Sequence, residues 1–175
     1  LRGSALRSCL AKVVGLDLVP RSTADRACVE AFVVADAANL PFADGSIELL
    51  YANSLLEHVG DRPVQGRAFA EMARVAQKLF VQTPNLHFPI EPHHLLPTFQ
   101  YWPRWLQRWV GENVLGHYEL VQLLGRREIE DLGGSAPGVS IWEEKVLGLA
   151  KSVVLIREGM PEDEGGAVRS RLGAA

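Results

Sequence analysis

The stretch FVVADAANLPFADGSIELLYANSLLEHV, residues 32–59, decides how the rest of the chain is read. It opens on an apolar run over 32–35, breaks at Asp36, and turns through Leu40-Pro41-Phe42 and Asp44-Gly45-Ser46. It then resumes as a second apolar run over 47–51. Two runs with β-branched and aromatic content, separated by Pro and Gly-Ser signals, predict two strands joined by a loop. Leu40 and Phe42 make the loop partly apolar, so part of it is expected to pack rather than face solvent. Asp36 and Asn53 stand just past the ends of their strands. In an open parallel sheet, that edge is where ligands bind.

Working outward, residues 4–12 read as an amphipathic helix capped by Ser4, with Leu6, Cys9 and Leu10 on one face. Residues 13–18, VVGLDL, form a short apolar run holding one acid, Asp17, as suits a strand covered on both faces. Residues 23–31 predict a short helix. Asp61 caps the next helix, with Pro63 in its first turn and a buried face of Ala68, Phe69, Met72, Ala73, Val75 and Ala76. Residues 78–83, KLFVQT, predict a further strand stopped by Pro84-Asn85. Helix and strand thus alternate, which points to a doubly wound, mostly parallel α/β sheet.

After Pro84 the character changes. Residues 84–103, PNLHFPIEPHHLLPTFQYWP, hold five prolines and three histidines, a long stiff excursion of the kind that usually carries function. Beyond it, Trp102, Trp105 and Trp109 are expected on one helical face with Leu106. Residues 126–132 predict a helix ended by Gly133-Gly134. Residues 139–149 and 152–157 predict an antiparallel strand pair turning near Ala150-Lys151. The tail from 161 is polar and Gly-rich.

The chain has 175 residues, 47% of them hydrophobic and 22% charged, enough for one domain of about 160 residues with a real core. A net charge of −3 with scattered Lys and Arg gives no electrostatic footprint for nucleic acid. Cys9 and Cys28 form no CxxC, so two buried thiols in a reducing cytoplasm are expected rather than a disulfide framework. No apolar run approaches the roughly 20 residues of a membrane-spanning helix.

Two polar clusters have rival readings. His87, Glu91, His93 and His94 read first as a substrate-facing wall and second as a packed surface loop. A metal site ranks a distant third, because Pro89 and Pro92 interrupt any helical ligand spacing. The Trp102, Trp105 and Trp109 stripe with Arg104 and Arg108 reads as a cap over a pocket or ordinary core. Peripheral contact with a membrane surface, or with a lipid-like acceptor, is the rival.

The phrases VVGLDLVP, ADAANLPFADGSIELLYANSLLEHV and EMARVAQKLFVQTPN together resemble the class I S-adenosylmethionine-dependent methyltransferases, and most closely their type 11 group. The resemblance covers about residues 1–85. It rests on an acid closing the strand before the central stretch, Asp-Ala ahead of an L-P-F turn, D-G-S before the next strand, and E-H-V after it. It implies a Rossmann-like fold, S-adenosyl-L-methionine as cofactor, and methyl transfer to a small-molecule or lipid-like acceptor. The family's first strand and most of its glycine-rich loop would precede Leu1, with Gly3 as that loop's last glycine. The domain is therefore expected to be truncated at its N-terminus, and a non-catalytic methyltransferase-like interaction module is the alternative function. A nicotinamide-dependent doubly wound enzyme is the other rival, but the L-P-F turn and E-H-V argue against it.

The resemblance also implies roles. Asp17 would accept from both ribose hydroxyls; its plain alternative is a solvated or helix-capping Asp. Asp36 would accept from the adenine amine while the Ala37 N–H faces a ring nitrogen; its alternative is an Asx turn. Leu40 and Phe42 either press on the adenine or belong to the core. Asn53 would run past the methionine part of the cofactor. His58 would serve as a base near the acceptor, although a packed histidine at a helix start ranks ahead of that. His87, Glu91 and His93 would face the acceptor.

Overall fold

The computed structural model describes residues 12–20, 29–90, 96–116 and 121–159. Among the described residues, six strands form two sheets. The first pairs β1 (Val14–Asp17) in parallel with β2 (Ala31–Val34). The second holds β3 (Ile47–Asn53), β4 (Ala76–Pro84), β5 (Ser140–Val146) and β6 (Leu149–Arg157) in the order β3-β4-β6-β5. The β3–β4 pairing is parallel, and β6 runs antiparallel to both its neighbours. The α/β reading and the antiparallel C-terminal pair appear as the sequence suggests, with parallel and antiparallel pairings mixed. The helices expected over 4–12 and 23–31 fall almost wholly outside the described residues; Ala31, expected to close the second, is instead the first residue of β2.

Helix α1 (Arg62–Val75) starts where Asp61 accepts a hydrogen bond from the Val64 N–H at 3.2 Å. That cap satisfies one of the N–H groups a helix start leaves unpaired, and Pro in the first turn costs no bond. The helix buries Ala68, Phe69, Met72, Ala73 and Val75, as its spacing predicts. It then passes into β4 with no loop, Ala76 already being extended. The carbonyls at its C-terminus are met instead from β6. Arg157 is buried and its Nη2 donates to the Ala73 carbonyl at 2.7 Å and to that of Ala76. Its Nε donates to the Gln77 carbonyl at 3.3 Å.

Helix α2 (Arg104–Val110) continues into a π turn over Gly111–Leu115. Helix α3 (Arg126–Gly134) takes in both glycines that were expected to end it, and Ser135 follows as its cap. Gly133 packs closely against the sheet rather than ending the helix. A Cβ there would lie 3.0 Å from Ile141 Cδ1 and 3.2 Å from Leu155 Cδ2, so a larger residue would need those side chains to shift by a few tenths of an ångström. One buried cluster joins this layer to the loop after β2, taking in Ala37, Leu40, Ala52, Leu56, Phe69, Met72, Leu79, Val81, Ile129 and Leu155. On the opposite sheet face Tyr51 stacks on Phe80, ring centroids 5.2 Å apart, beside the exposed Trp142.

The hairpin turn differs from expectation. It falls at Leu147-Gly148, with Val146 opposite Leu149, while the Ala150-Lys151 position is a strand irregularity opposite Glu144/Lys145. Both turn residues have positive φ, 52° for Leu147 and 81° for Gly148. This is the backbone of a two-residue primed turn, whose first position favours Asn and penalises a γ-branched side chain. Leu147 is 99% exposed, so its side chain returns nothing for that strain. Leu147→Asn should therefore stabilise the protein by about 1 kcal/mol, raising Tm by about 3 °C in a thermal melt.

Candidate functional site

The two acids that the sequence singles out end adjacent parallel strands. Asp17 is the last residue of β1 and pairs in register with Val34, the last of β2. The Ala35 N–H donates to the Asp17 carbonyl at 3.0 Å, so Asp36 follows one residue beyond that link. The Asp17 carboxylate accepts from the Val19 N–H at 3.3 Å. Asp36 is exposed, and its Oδ1 accepts from the Ala38 N–H at 2.8 Å while its carbonyl accepts from the Asn39 N–H at 2.9 Å. The Asx turn is thus present. It occupies one carboxylate oxygen, and a carboxylate has a second with its own lone pairs. Ala37 and Leu40 are buried and Phe42 packs against the same core, so the loop is apolar where the sequence says it should be.

That loop is held by a pair that sequence reading did not single out. Arg74 donates from Nε and Nη2 to the two oxygens of Glu71, both at 2.7 Å. Its Nη1 donates to the Phe42 carbonyl at 2.9 Å and to Asp44 Oδ1 at 2.6 Å, and Nη2 also reaches the Leu40 carbonyl at 3.2 Å. Glu71 Oε2 in turn accepts from the Leu40 N–H at 2.9 Å. The Arg74 hydrogen bond holds the Glu71 carboxyl below its ordinary value against the opposing effect of burial, and the Leu40 N–H adds to it. Glu71 and then Asp44 push the guanidinium further up. The only sequence signal was an acid three residues before an arginine, a spacing that places both on one helix face.

At the end of the second parallel pair, Asn53 lies opposite Gln82. Ser54 follows with φ 52°, a left-handed conformation unusual for a residue other than glycine, and its N–H donates to the Gln82 carbonyl at 3.0 Å. A short 3₁₀ turn over Leu56–His58 comes next. Glu57 there is buried, and Thr83 Oγ1 at the end of β4 donates to its Oε2 at 2.9 Å. The other Glu57 oxygen lies 4.0 Å from His58 Nε2, and the His58 side chain is about a quarter exposed. His58 thus occupies a partly open position beside a buried carboxylate. The Gln122 N–H donates to the Glu57 carbonyl at 2.9 Å, and Gln65 and Arg62 at the start of α1 donate to the carbonyls of Gln122 and Leu123.

The excursion after β4 is well tied. The Gln100 side-chain amide donates to the carbonyls of Leu86 and Phe88 at 3.1 and 2.7 Å, and the Tyr101 hydroxyl donates to that of Leu86 at 3.0 Å. Since that hydroxyl proton is committed, His87 Nδ1, 3.2 Å from the same oxygen, is the donor of their contact. His87 is exposed. Gly3, Glu91, His93 and His94 lie outside the described residues. Among the described residues, no group of three or more His, Cys, Asp or Glu side chains is placed to hold a metal ion.

The three-tryptophan stripe needs correction. Trp102 precedes Pro103 and lies outside α2; it is half-buried against Phe99, ring centroids 5.3 Å apart. Pro103 sets the helix start and separates it from the other two. Trp105 and Trp109 do share α2 and are 71% and 56% exposed, so they are not core. No helix among the described residues is long and apolar enough to cross a membrane.

Residues 2–79 match the family model described as a methyltransferase domain, type 11. The chain is similar to a SAM-dependent methyltransferase from Methanosarcina mazei, at 17% identity over 82% of this chain and 79% of that one, with a TM-score of 0.53. It is similar to a protein from Pyrococcus horikoshii OT3, at 16% identity over 88% of this chain and 74% of that one, with a TM-score of 0.56. A third similar structure is the magnesium protoporphyrin IX methyltransferase from Synechocystis PCC 6803 with bound SAM, at 12% identity over 87% of this chain and 62% of that one, with a TM-score of 0.50. No curated protein matches the chain. Residues 2–79, somewhat under half of the chain, thus match a methyltransferase-domain family model, and the chain shares the Rossmann-like fold of these solved structures.

Proposed function

We propose that the chain binds S-adenosylmethionine across the C-terminal ends of β1, β2 and β3, and transfers its methyl group to a small-molecule or lipid-like acceptor. The observation that carries this reading is the register of Asp17 with Val34, which brings the Asp17 and Asp36 backbones to one edge of one parallel pair. The donor set fits the group. Ribose hydroxyls and an adenine amine are donors, and both acids are acceptors; the buried Ala37 and Leu40 supply apolar surface for a ring.

When bound, the cofactor supplies a methyl already activated on a sulfonium. The chain's own part is then to orient, to exclude water and to move a proton where the acceptor requires it. Asp17 would hold the ribose, Asp36 and Ala37 the adenine, and the Asn53-Ser54 backbone the methionine part. His58, set by Glu57, would take a proton from an acceptor hydroxyl or amine. His87 and Tyr101 would line the acceptor side. The exposed Trp105 and Trp109 support an apolar acceptor, or one presented at a membrane surface.

Calorimetric titration of the whole chain with S-adenosylhomocysteine is the test. A one-to-one isotherm with micromolar Kd is expected. Silence with S-adenosylhomocysteine would favour a non-catalytic interaction module, and preference for a dinucleotide would favour an oxidoreductase.

A further inference from the structure

We infer that Glu71 and Arg74 are positioning residues for the adenine-holding loop, acting through its main chain; this rests on the cofactor reading proposed above. The geometry is specific to that task. Four of the clamp's contacts are to loop backbone atoms: the Leu40 N–H, the carbonyls of Leu40 and Phe42, and the Gly45 N–H, which donates to the Arg74 carbonyl at 2.9 Å. Gln77, three residues on, donates from its side chain to the Gly45 carbonyl at 2.8 Å. Only Asp44 is held by its side chain. The main chain of residues 40–45 is therefore gripped from α1 and the start of β4, while Leu40 and Phe42 anchor it in the core and Ser46 Oγ donates to the Ala43 carbonyl at 2.7 Å.

Leu40 is also where the tight turn over 36–39 ends. That turn is closed within itself by the Ala38 N–H on Asp36 Oδ1 and the Asn39 N–H on the Asp36 carbonyl. A self-closed turn moves as one piece, so fixing Leu40 on both its N–H and its carbonyl fixes how Asp36 and Ala37 face the edge of β1 and β2. The bidentate fork matters here, because a guanidinium can grip a carboxylate and two carbonyls at once and an ammonium cannot.

The test compares two substitutions on one helix. Arg74→Met removes the clamp. Arg62→Met removes the bond from the other end of α1 to the Leu123 carbonyl and touches nothing in the 36–46 loop. Affinity for S-adenosylhomocysteine and amide exchange across residues 36–46 are measured on both, with Tm alongside. Arg74→Met should weaken binding at least tenfold and speed exchange at the Leu40 and Gly45 amides, while Arg62→Met binds as wild type. Glu71→Gln, which keeps an acceptor for the Leu40 N–H, should fall between. Wild-type affinity in Arg74→Met, or equal losses in Arg74→Met and Arg62→Met, would overturn the inference. If the wild-type chain binds nothing, the cofactor reading itself fails, and this inference fails with it.

Discussion

Arg157→Ala should lower stability by about 3–5 kcal/mol, the largest effect of any single change considered. The substitution strips the C-terminal carbonyls of α1 of a charged donor, and a buried acceptor left without a partner costs about 1–3 kcal/mol. Ala76 is fully buried and Ala73 nearly so, so water would not readily replace the guanidinium. The last carbonyls of a helix also carry its negative dipole end, which a cation there offsets. The aliphatic stem adds lost packing. A domain of this kind has only about 5–15 kcal/mol in total, so the loss would be visible directly. Urea unfolding followed by tryptophan fluorescence should show the midpoint falling by about 2 M at an m value near 2 kcal/mol/M. Arg157→Met keeps the volume and not the donors, and should recover less than half of the loss. A midpoint within 0.5 M of wild type in Arg157→Ala would show that α1 ends without need of this side chain.

Asp17→Ala should weaken S-adenosylhomocysteine binding about a hundredfold, as read by calorimetric titration. On the proposed reading one carboxylate accepts from two ribose hydroxyls, and each such charge-assisted bond contributes roughly 1.5–3 kcal/mol. Every 1.4 kcal/mol is about tenfold in Kd, so even the lower figure for both bonds reaches about two decades. Asp17→Asn keeps one acceptor and should lie about tenfold from wild type. If Asp17→Ala binds as well as wild type, the ribose is held elsewhere, and the edge formed by β1 and β2 is not where the adenosine sits.

Much of the fold was legible because local chemistry and tertiary packing agree. VVGLDL, FVVA and KLFVQT are strand-length apolar runs bounded by turn signals, and Asp61 with Pro63 marks a helix start. The expected covering of the first run on both faces is not met among the described residues, where Val14, and Val34 in the strand paired with it, are exposed. The hairpin turn was misplaced because Leu147 is a poor turn former. The positive φ it adopts is imposed by the pairing of Val146 with Leu149, and nothing in its side chain announces it. Trp102 was assigned to a helix face by spacing alone, although Pro103 sets the boundary. Arg157 shares a two-residue period with Val153 and Leu155, both buried, so its inward face was readable. Its partners were not, because they lie about eighty positions away in sequence. Asp17 and Asp36 stood out in the sequence because each acid follows a short apolar run of strand length. The Glu71–Arg74 clamp was missed because an acid and an arginine on one helix face are common, and the loop it grips lies some thirty residues upstream.

Strand β6, last of the six along the chain, lies between β4 and β5 rather than at an edge. During synthesis the growing polypeptide must therefore expose one side of β4 until residues 149–157 clear the ribosome. The same delay leaves the end of α1 unsealed until Arg157 has emerged, since that residue closes the strand. Assembly of this layer is thus deferred until residues 149–157 have been made, and the nascent intermediate carries an open, apolar sheet margin of the kind that chaperones recognise.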